Sequence, residues 1–119
     1  MTHKDLDSWK KSIDLVTEIY QLTRLFPDYE RFGLSSQMQR SAVSIPSNIA
    51  EGSGRDSMKE TIHFLYVSQG SLAELETQLI IAGKLNYLTN EKRDELLKVM
   101  EEITKLIYGL INYYKKKLK

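Results

Sequence analysis

The chain has 119 residues, the length of one ordinary domain, and a domain of that size buries roughly two-thirds of the surface its unfolded form exposes. Lys and Arg number 17 against 16 Asp and Glu, and the net charge of +1 argues against a nucleic-acid binder that works through a large positive field. Without cysteine there are no disulfides or thiolate metal sites, and neither the charged start MTHKDLDSWKKS nor any later stretch supplies a secretory leader or a membrane span, so a reducing, cytoplasmic setting is expected.

The predicted elements are all helices. The first runs from about Asp7 to Leu25, where Leu6, Trp9, Ile13, Val16, Tyr20 and Thr23 recur at steps of three and four and so share a face toward a partner helix. Leu15, Ile19 and Leu22 lie beside that seam and widen it, and Pro27 stops the helix. The second begins near Tyr29 to Phe32 and reaches about Glu51, with Leu34, Met38, Ala42, Ile45 and Ile49 as its apolar face. Pro46 inside it removes a backbone donor and predicts a kink, and Gly52-Ser53-Gly54 predicts a left-handed glycine cap.

The third helix starts at Asp56 or Ser57, where Ser57-Met-Lys-Glu60 reads as a capping box, and continues to about Ala82 with Gly83 as its stop. Its apolar positions include Phe64, Leu65, Leu72, Leu75 and Leu79. The fourth opens at Thr89 or Asn90, carries Leu96, Met100, Ile103, Ile107, Leu110 and Tyr114 on one face, and fades into Lys115-Lys116-Lys117, where cations suit the helix dipole. No repeat or linker divides the chain, so one domain over 1–119 is expected. Short connections between helices of this length predict an all-α, antiparallel up-down-up-down four-helix bundle.

Two groups of polar residues stand out. Gln37, Arg40, Ser44, Asn48 and Glu51 share a face of the second helix, and Ser71, Glu74 and Gln78 share one on the third, with Gly70 removing bulk beside them for close approach. Either these faces meet inside the bundle as an inter-helix polar network that fixes register, or they line a recognition groove. The second group is basic: Arg40, Arg55, Lys59, Lys115, Lys116, Lys117 and Lys119, near Tyr108, Tyr113 and Tyr114. Lysines beside tyrosines can track phosphates and stack bases, although a charged helix end that keeps a protein in solution is commoner.

Catalytic patterns are missing. There is no cysteine nucleophile, no Gly-x-Ser-x-Gly turn and no phosphate loop, and Gly52-Ser53-Gly54 lacks the lysine and spacing of one. Glu60-x-x-His63 is half of a di-iron motif, but His3 lies outside any second copy, so no metal, cofactor or catalytic residue is assigned.

At the second helix the sequence becomes recognisable. Phe26-Pro27, Glu30, Phe32-Gly33-Leu34, Gln37, Arg40 and the string Ser44-Ile45-Pro46-Ser47-Asn48-Ile49-Ala50-Glu51-Gly52 closely resemble the bacterial four-helix bundle family, also called 23S rRNA intervening-sequence proteins. Gly70-Ser71-Leu72-Ala73-Glu74-Leu75-Glu76 and the opening Leu6-x-x-Trp9 extend the resemblance over essentially the whole chain. It implies antiparallel bundles that form ring-shaped homopentamers without established catalytic activity. It also implies kinship with the accessory variability determinant of diversity-generating retroelements, a pentamer that works with a reverse transcriptase and RNA. Arg40, Ser44, Asn48, Glu51, Ser71 and Glu74 fall on the family's characteristic polar positions. The expectation is therefore a non-enzymatic homo-oligomer, favouring a pentamer, that binds RNA or an RNA-processing partner. The alternative is a protein-interaction scaffold with no nucleic-acid role, for which the near-zero charge speaks.

Overall fold

The backbone hydrogen bonds of this chain are satisfied almost wholly inside helices, because its apolar residues recur with helical and not strand period. The computed structural model describes residues 2–118. Four helices form among them: α1 (Asp7–Thr23), α2 (Leu34–Ser53), α3 (Met58–Lys84) and α4 (Asn90–Lys117), with no strand. Short 3-10 turns at His3–Asp5 and Asp28–Glu30 precede α1 and α2. The helices pack as a bundle of 49 × 24 × 20 Å. Each helix runs close to two neighbours, α1 to α2 and α4, and α3 to α2 and α4, and among the described residues the backbones of the diagonal pairs stay more than 8 Å apart, Cα to Cα.

The core is continuous along the bundle axis. Leu15 and Ile19 of α1, Met38, Ala42, Ile45 and Ile49 of α2, Leu75, Leu79 and Ala82 of α3, and Leu96, Ile103, Ile107 and Ile111 of α4 are fully buried. On α1 the buried stripe differs from the expected seam. Ser8, Ser12, Leu15, Ile19 and Leu22 face inward, whereas Ile13 and Tyr20 are 39% and 38% exposed and Trp9 and Val16 are half-buried. Two stripes on α1 have equivalent spacing, and the small Ser8 and Ser12 let the helix approach its neighbours along the other one. Ser12 turns its hydroxyl onto the Ser8 carbonyl at 2.6 Å, which satisfies it without an outside partner.

The entry to α2 also differs from the prediction. The chain makes a separate turn at Asp28–Glu30, and α2 starts at Leu34 instead of near Tyr29 to Phe32. A Cβ at Gly33 would lie 2.8 Å from Glu30 Oε1. Glycine leaves that space to the carboxylate, which accepts the Leu34 amide at 3.2 Å and caps the helix in place of a serine or aspartate. The other oxygen of Glu30 accepts the Tyr87 hydroxyl at 2.8 Å, tying this end of α2 to the α3–α4 connection.

α2 continues without interruption through the buried Pro46 to Ser53. Ser68 of α3 donates its hydroxyl to the neighbouring Ile45 carbonyl at 2.9 Å. The end of α2 has no left-handed glycine, since Gly54 has φ −86°. Gly52 serves a different purpose: a Cβ there would meet Thr61 O and Phe64 Cβ, each at 3.1 Å, so the residue permits close approach of α3. The Thr61 hydroxyl donates to the Gly52 carbonyl at 2.8 Å across the same contact.

α3 starts as expected at Ser57, whose hydroxyl accepts the Glu60 amide at 3.4 Å, half of a capping box. It runs past Gly83, and the left-handed position falls at Asn86, φ 63°. Asn86 N donates to Gly83 O and Tyr87 N to Ala82 O, each at 3.0 Å, which is the paired closure of a Schellman motif. Asparagine takes that backbone region more readily than other residues with a side chain. Gly83 instead makes room for Arg93 Cδ, which a Cβ would meet at 3.2 Å. α4 is capped by Thr89, whose hydroxyl accepts the Lys92 amide at 3.1 Å.

Candidate functional site

Where α2 and α3 run together, their polar stripes do two jobs. At the centre, the Ser44 and Ser71 hydroxyl oxygens lie 2.8 Å apart, and Asn48 Nδ2 donates to Ser44 Oγ at 2.9 Å and to the Ser44 carbonyl at 2.8 Å. These three residues form the register-setting network that helical spacing allows. Toward the N-terminal end of α2 the stripes diverge around a groove of about 500 Å³ lined by Gln37, Arg40, Ser41, Ser44, Glu74 and Gln78. Arg40 and Glu74 contribute opposite charges from opposite helices, yet neither forms an ion pair among the described residues. Gln78 is 8% exposed and its Oε1 has no hydrogen-bond partner. Glu51 stands apart from this network, pairing with Arg55 one turn further along.

The basic residues fall into two places. Arg40 lies 15 residues before Arg55, roughly 22 Å away at 1.5 Å per residue. Arg55 follows the end of α2, Lys59 sits in the first turn of α3, and Lys115, Lys116 and Lys117 form the last turn of α4. These meet at one end of the bundle, where Lys115 Nζ donates to the Tyr66 hydroxyl at 2.7 Å. Lys119 lies outside the described residues.

Three cations there lie over aromatic rings: Arg55 on Phe64 at 4.9 Å, Lys115 on Tyr66 at 5.2 Å and Lys117 on Tyr113 at 4.6 Å. Hydrogen bonding to Tyr66 pushes the Lys115 ammonium above its usual pKa, and Tyr113 acts on Lys117 in the same way. Both side chains therefore hold their charge well above neutral pH. Tyr66, Tyr108 and Tyr113 are 43%, 53% and 52% exposed, with a lysine covering one face of Tyr66 and one face of Tyr113. Phe64 and Tyr66 are two residues apart on α3 and point to opposite flanks, so the cationic surface wraps the helix end and is not one flat patch.

Sequence reasoning passed over Tyr66 and Ser41. Nothing in the local pattern links Tyr66 to Lys115, 49 residues away, because that contact depends on the register of α3 against α4. Ser41 belongs by spacing to the apolar face of α2, and its small size lets it sit 5% exposed beside the groove.

A third feature is an apolar hollow of about 310 Å³ between α1 and α2, lined by Trp9, Ile13, Val16, Val43, Pro46 and Ala50 together with His3 and Ser47. It collects α1 residues from the margin of the core, where Trp9 and Val16 pack partly against the buried cluster and Ile13 is 39% exposed. Among the described residues no three His, Cys, Asp or Glu side chains cluster as a metal site, and no helix is long and apolar enough to cross a membrane.

Fold and surfaces define an all-helical four-helix bundle protein with a polar groove between α2 and α3 and a cation–aromatic end. The model of the 23S rRNA-intervening sequence protein family matches residues 4–109, and the chain belongs to that family. A solved structure from Bacteroides thetaiotaomicron VPI-5482, described as a protein with unknown function from the S23 ribosomal protein family, is similar throughout. It is 26% identical, with a TM-score of 0.82 over 88% of this chain and 95% of that one. No curated protein matches the chain.

Proposed function

We propose that this protein is a non-enzymatic, cytoplasmic homo-oligomer, a ring of antiparallel bundles with a pentamer favoured, that binds RNA through its cation–aromatic end. The observation that carries the reading is the set of three cation–ring pairs at one end of the bundle, with Lys59 and Lys116 beside them. Cations that track phosphates next to exposed rings that stack bases are the two ingredients of sequence-tolerant strand binding. A single chain carries a net charge of +1, so a ring that repeats this end several times over is what concentrates the cations. An up-down course is supported by the contacts between α2 and α3, which pair Gly52 with Thr61, Ile45 with Ser68 and Ser44 with Ser71. The name of the family, 23S rRNA-intervening sequence protein, points the same way.

Gel-shift titration with structured ribosomal RNA across a salt series tests this. Affinity is expected to fall as salt rises, and replacing Arg55, Lys115, Lys116 and Lys117 by Gln is expected to flatten the slope. Affinity indifferent to both would overturn it. An RNA-processing protein as the partner, in place of RNA itself, would be recovered by pull-down after nuclease treatment. The second reading, a scaffold without nucleic acid, draws on the apolar α1–α2 hollow and the near-zero charge. Pull-downs that recover protein but no RNA would favour it.

A further inference from the structure

The α2–α3 groove is separate from the basic end and has a different chemical character. One wall carries a guanidinium, Arg40, and the other a carboxylate, Glu74, while Ser41, Ser44, Gln37 and Gln78 supply hydroxyls and amides. One turn from the 2.8 Å contact of the Ser44 and Ser71 oxygens, Arg40 and Glu74 line the same groove without forming an ion pair among the described residues. Between them remains a space of about 500 Å³, within the range that holds a nucleoside-sized molecule. Gln78 adds a buried acceptor without a partner, and a buried polar atom left alone costs free energy that a ligand would recover. The groove thus offers paired donors from one side and paired acceptors from the other.

We propose that this groove recognises a guanine base. Guanine presents two adjacent N–H donors, N1 and N2, along one edge, and two adjacent acceptors, O6 and N7, along another. A carboxylate takes the first pair and a guanidinium takes the second, so Glu74 and Arg40 read both edges at once. Adenine turns an acceptor, N1, toward a carboxylate that would meet it, cytosine does the same with N3, and uracil offers a single donor. The unpartnered Gln78 oxygen is a further acceptor for the amino group. The guanine is either that of a free nucleotide or an unpaired guanosine in an RNA strand, since the recognised edges are the same. The inference stands on residues other than those of the basic end, so either site can fail without the other.

Calorimetry with the full chain tests it, using GMP, AMP, ribose 5-phosphate and two short RNA strands that differ by one unpaired guanosine or adenosine. Guanine is expected to bind at least about tenfold more tightly than adenine. Glu74→Gln removes that preference, because an amide cannot accept both N–H groups. Glu74 is exposed, so the variant keeps the wild-type melting curve. Replacing Arg55, Lys115, Lys116 and Lys117 leaves the preference intact. A preference in the mononucleotide arm assigns a free nucleotide as the source, and one confined to the RNA arm assigns a strand. Equal binding of GMP, AMP and ribose 5-phosphate reduces the site to an anion contact at Arg40 and overturns the proposal, as does the absence of binding in every arm.

Discussion

The hydroxyls of Ser44 on α2 and Ser71 on α3 meet at 2.8 Å at the edge of the groove. Their direction follows from their neighbours. Asn48 Nδ2 donates to Ser44 Oγ, and Ser71 Oγ lies 3.2 Å from the Val67 carbonyl, which can only accept. With one proton on each hydroxyl, Ser44 donates to Ser71 and Ser71 to Val67, giving a chain from Asn48 across the helix seam. Ser44→Ala and Ser71→Ala are each expected to cost about 1 kcal/mol of stability in urea denaturation. The double variant should cost measurably less than the sum, because both changes break one chain. Strict additivity would show that the two hydroxyls act independently.

That network marks where the sequence was legible and where it stopped being so. The period of α2 and α3 put Ser44, Asn48 and Ser71 on facing sides, and on α4 spacing placed Leu96, Met100, Ile103 and Ile107 in the core, whereas the expected Leu110 and Tyr114 are half-buried and Ile111 takes the last core position. On α1 two stripes fitted the same period, and the richer one, with Trp9, Ile13 and Tyr20, proved to be the outer one. Periodicity finds a face but does not say which of two faces meets the core when one of them is lined by serine. The pairing of Lys115 with Tyr66 was out of reach for another reason, since it joins different helices, whereas Lys117 and Tyr113 sit one turn apart on α4. The left-handed cap expected at the end of α2 is missing, since Gly54 has φ −86°, and α3 runs one residue past Gly83 and closes through Asn86, while Gly52 and Gly83 are small for the sake of a neighbour's approach.

Glycine at two positions gives opposite predictions. At Gly52 an added methyl would press on the Thr61 carbonyl and on Phe64 Cβ, each at 3.1 Å, and the Thr61 hydroxyl holds the two helices together there by donating to the Gly52 carbonyl, so Gly52→Ala should destabilise by about 1–3 kcal/mol. Gly70 has nothing within 4 Å of the same point and sits in mid-helix, contrary to the close approach expected of it. Gly70→Ala should stabilise by about 0.5–1 kcal/mol through helix propensity. Thermal denaturation of both variants is the check. A destabilised Gly70→Ala would show that something packs on that surface.

The Tyr87 hydroxyl lies 3.3 Å from that of Tyr29 and 2.8 Å from Glu30 Oε2. Hydrogen bonds to Tyr29 and Glu30, with partial burial and the charge of Glu30, push its pKa above the ordinary 10.0. The folded state then keeps a proton that the unfolded state gives up. The contribution is present in full below pH 10.0 and is lost as pH rises toward the raised value. Stability of the wild type is expected to fall more steeply above that pH than stability of Tyr87→Phe, which has no phenol to titrate. Parallel curves from denaturant titrations between pH 9 and 11 would remove this account.

The outer stripe of α1 bears on assembly. Trp9, Ile13 and Val16 line a hollow with Val43, Pro46 and Ala50, and Ile13 and Val43 are 39% and 40% exposed. A lone bundle leaves this apolar surface partly uncovered. Val43→Glu places a charge in that hollow at a site half open to water, so the isolated bundle should lose little, and glutamate favours helix over valine. If the hollow lies in a homo-oligomer interface, desolvating the carboxylate opposes assembly, since an unpaired buried charge costs several kcal/mol. Light scattering should show the wild type as an oligomer and the variant as a folded chain of 13.8 kDa. A wild type that is already monomeric, or a variant whose mass is unchanged, would take this surface out of the assembly.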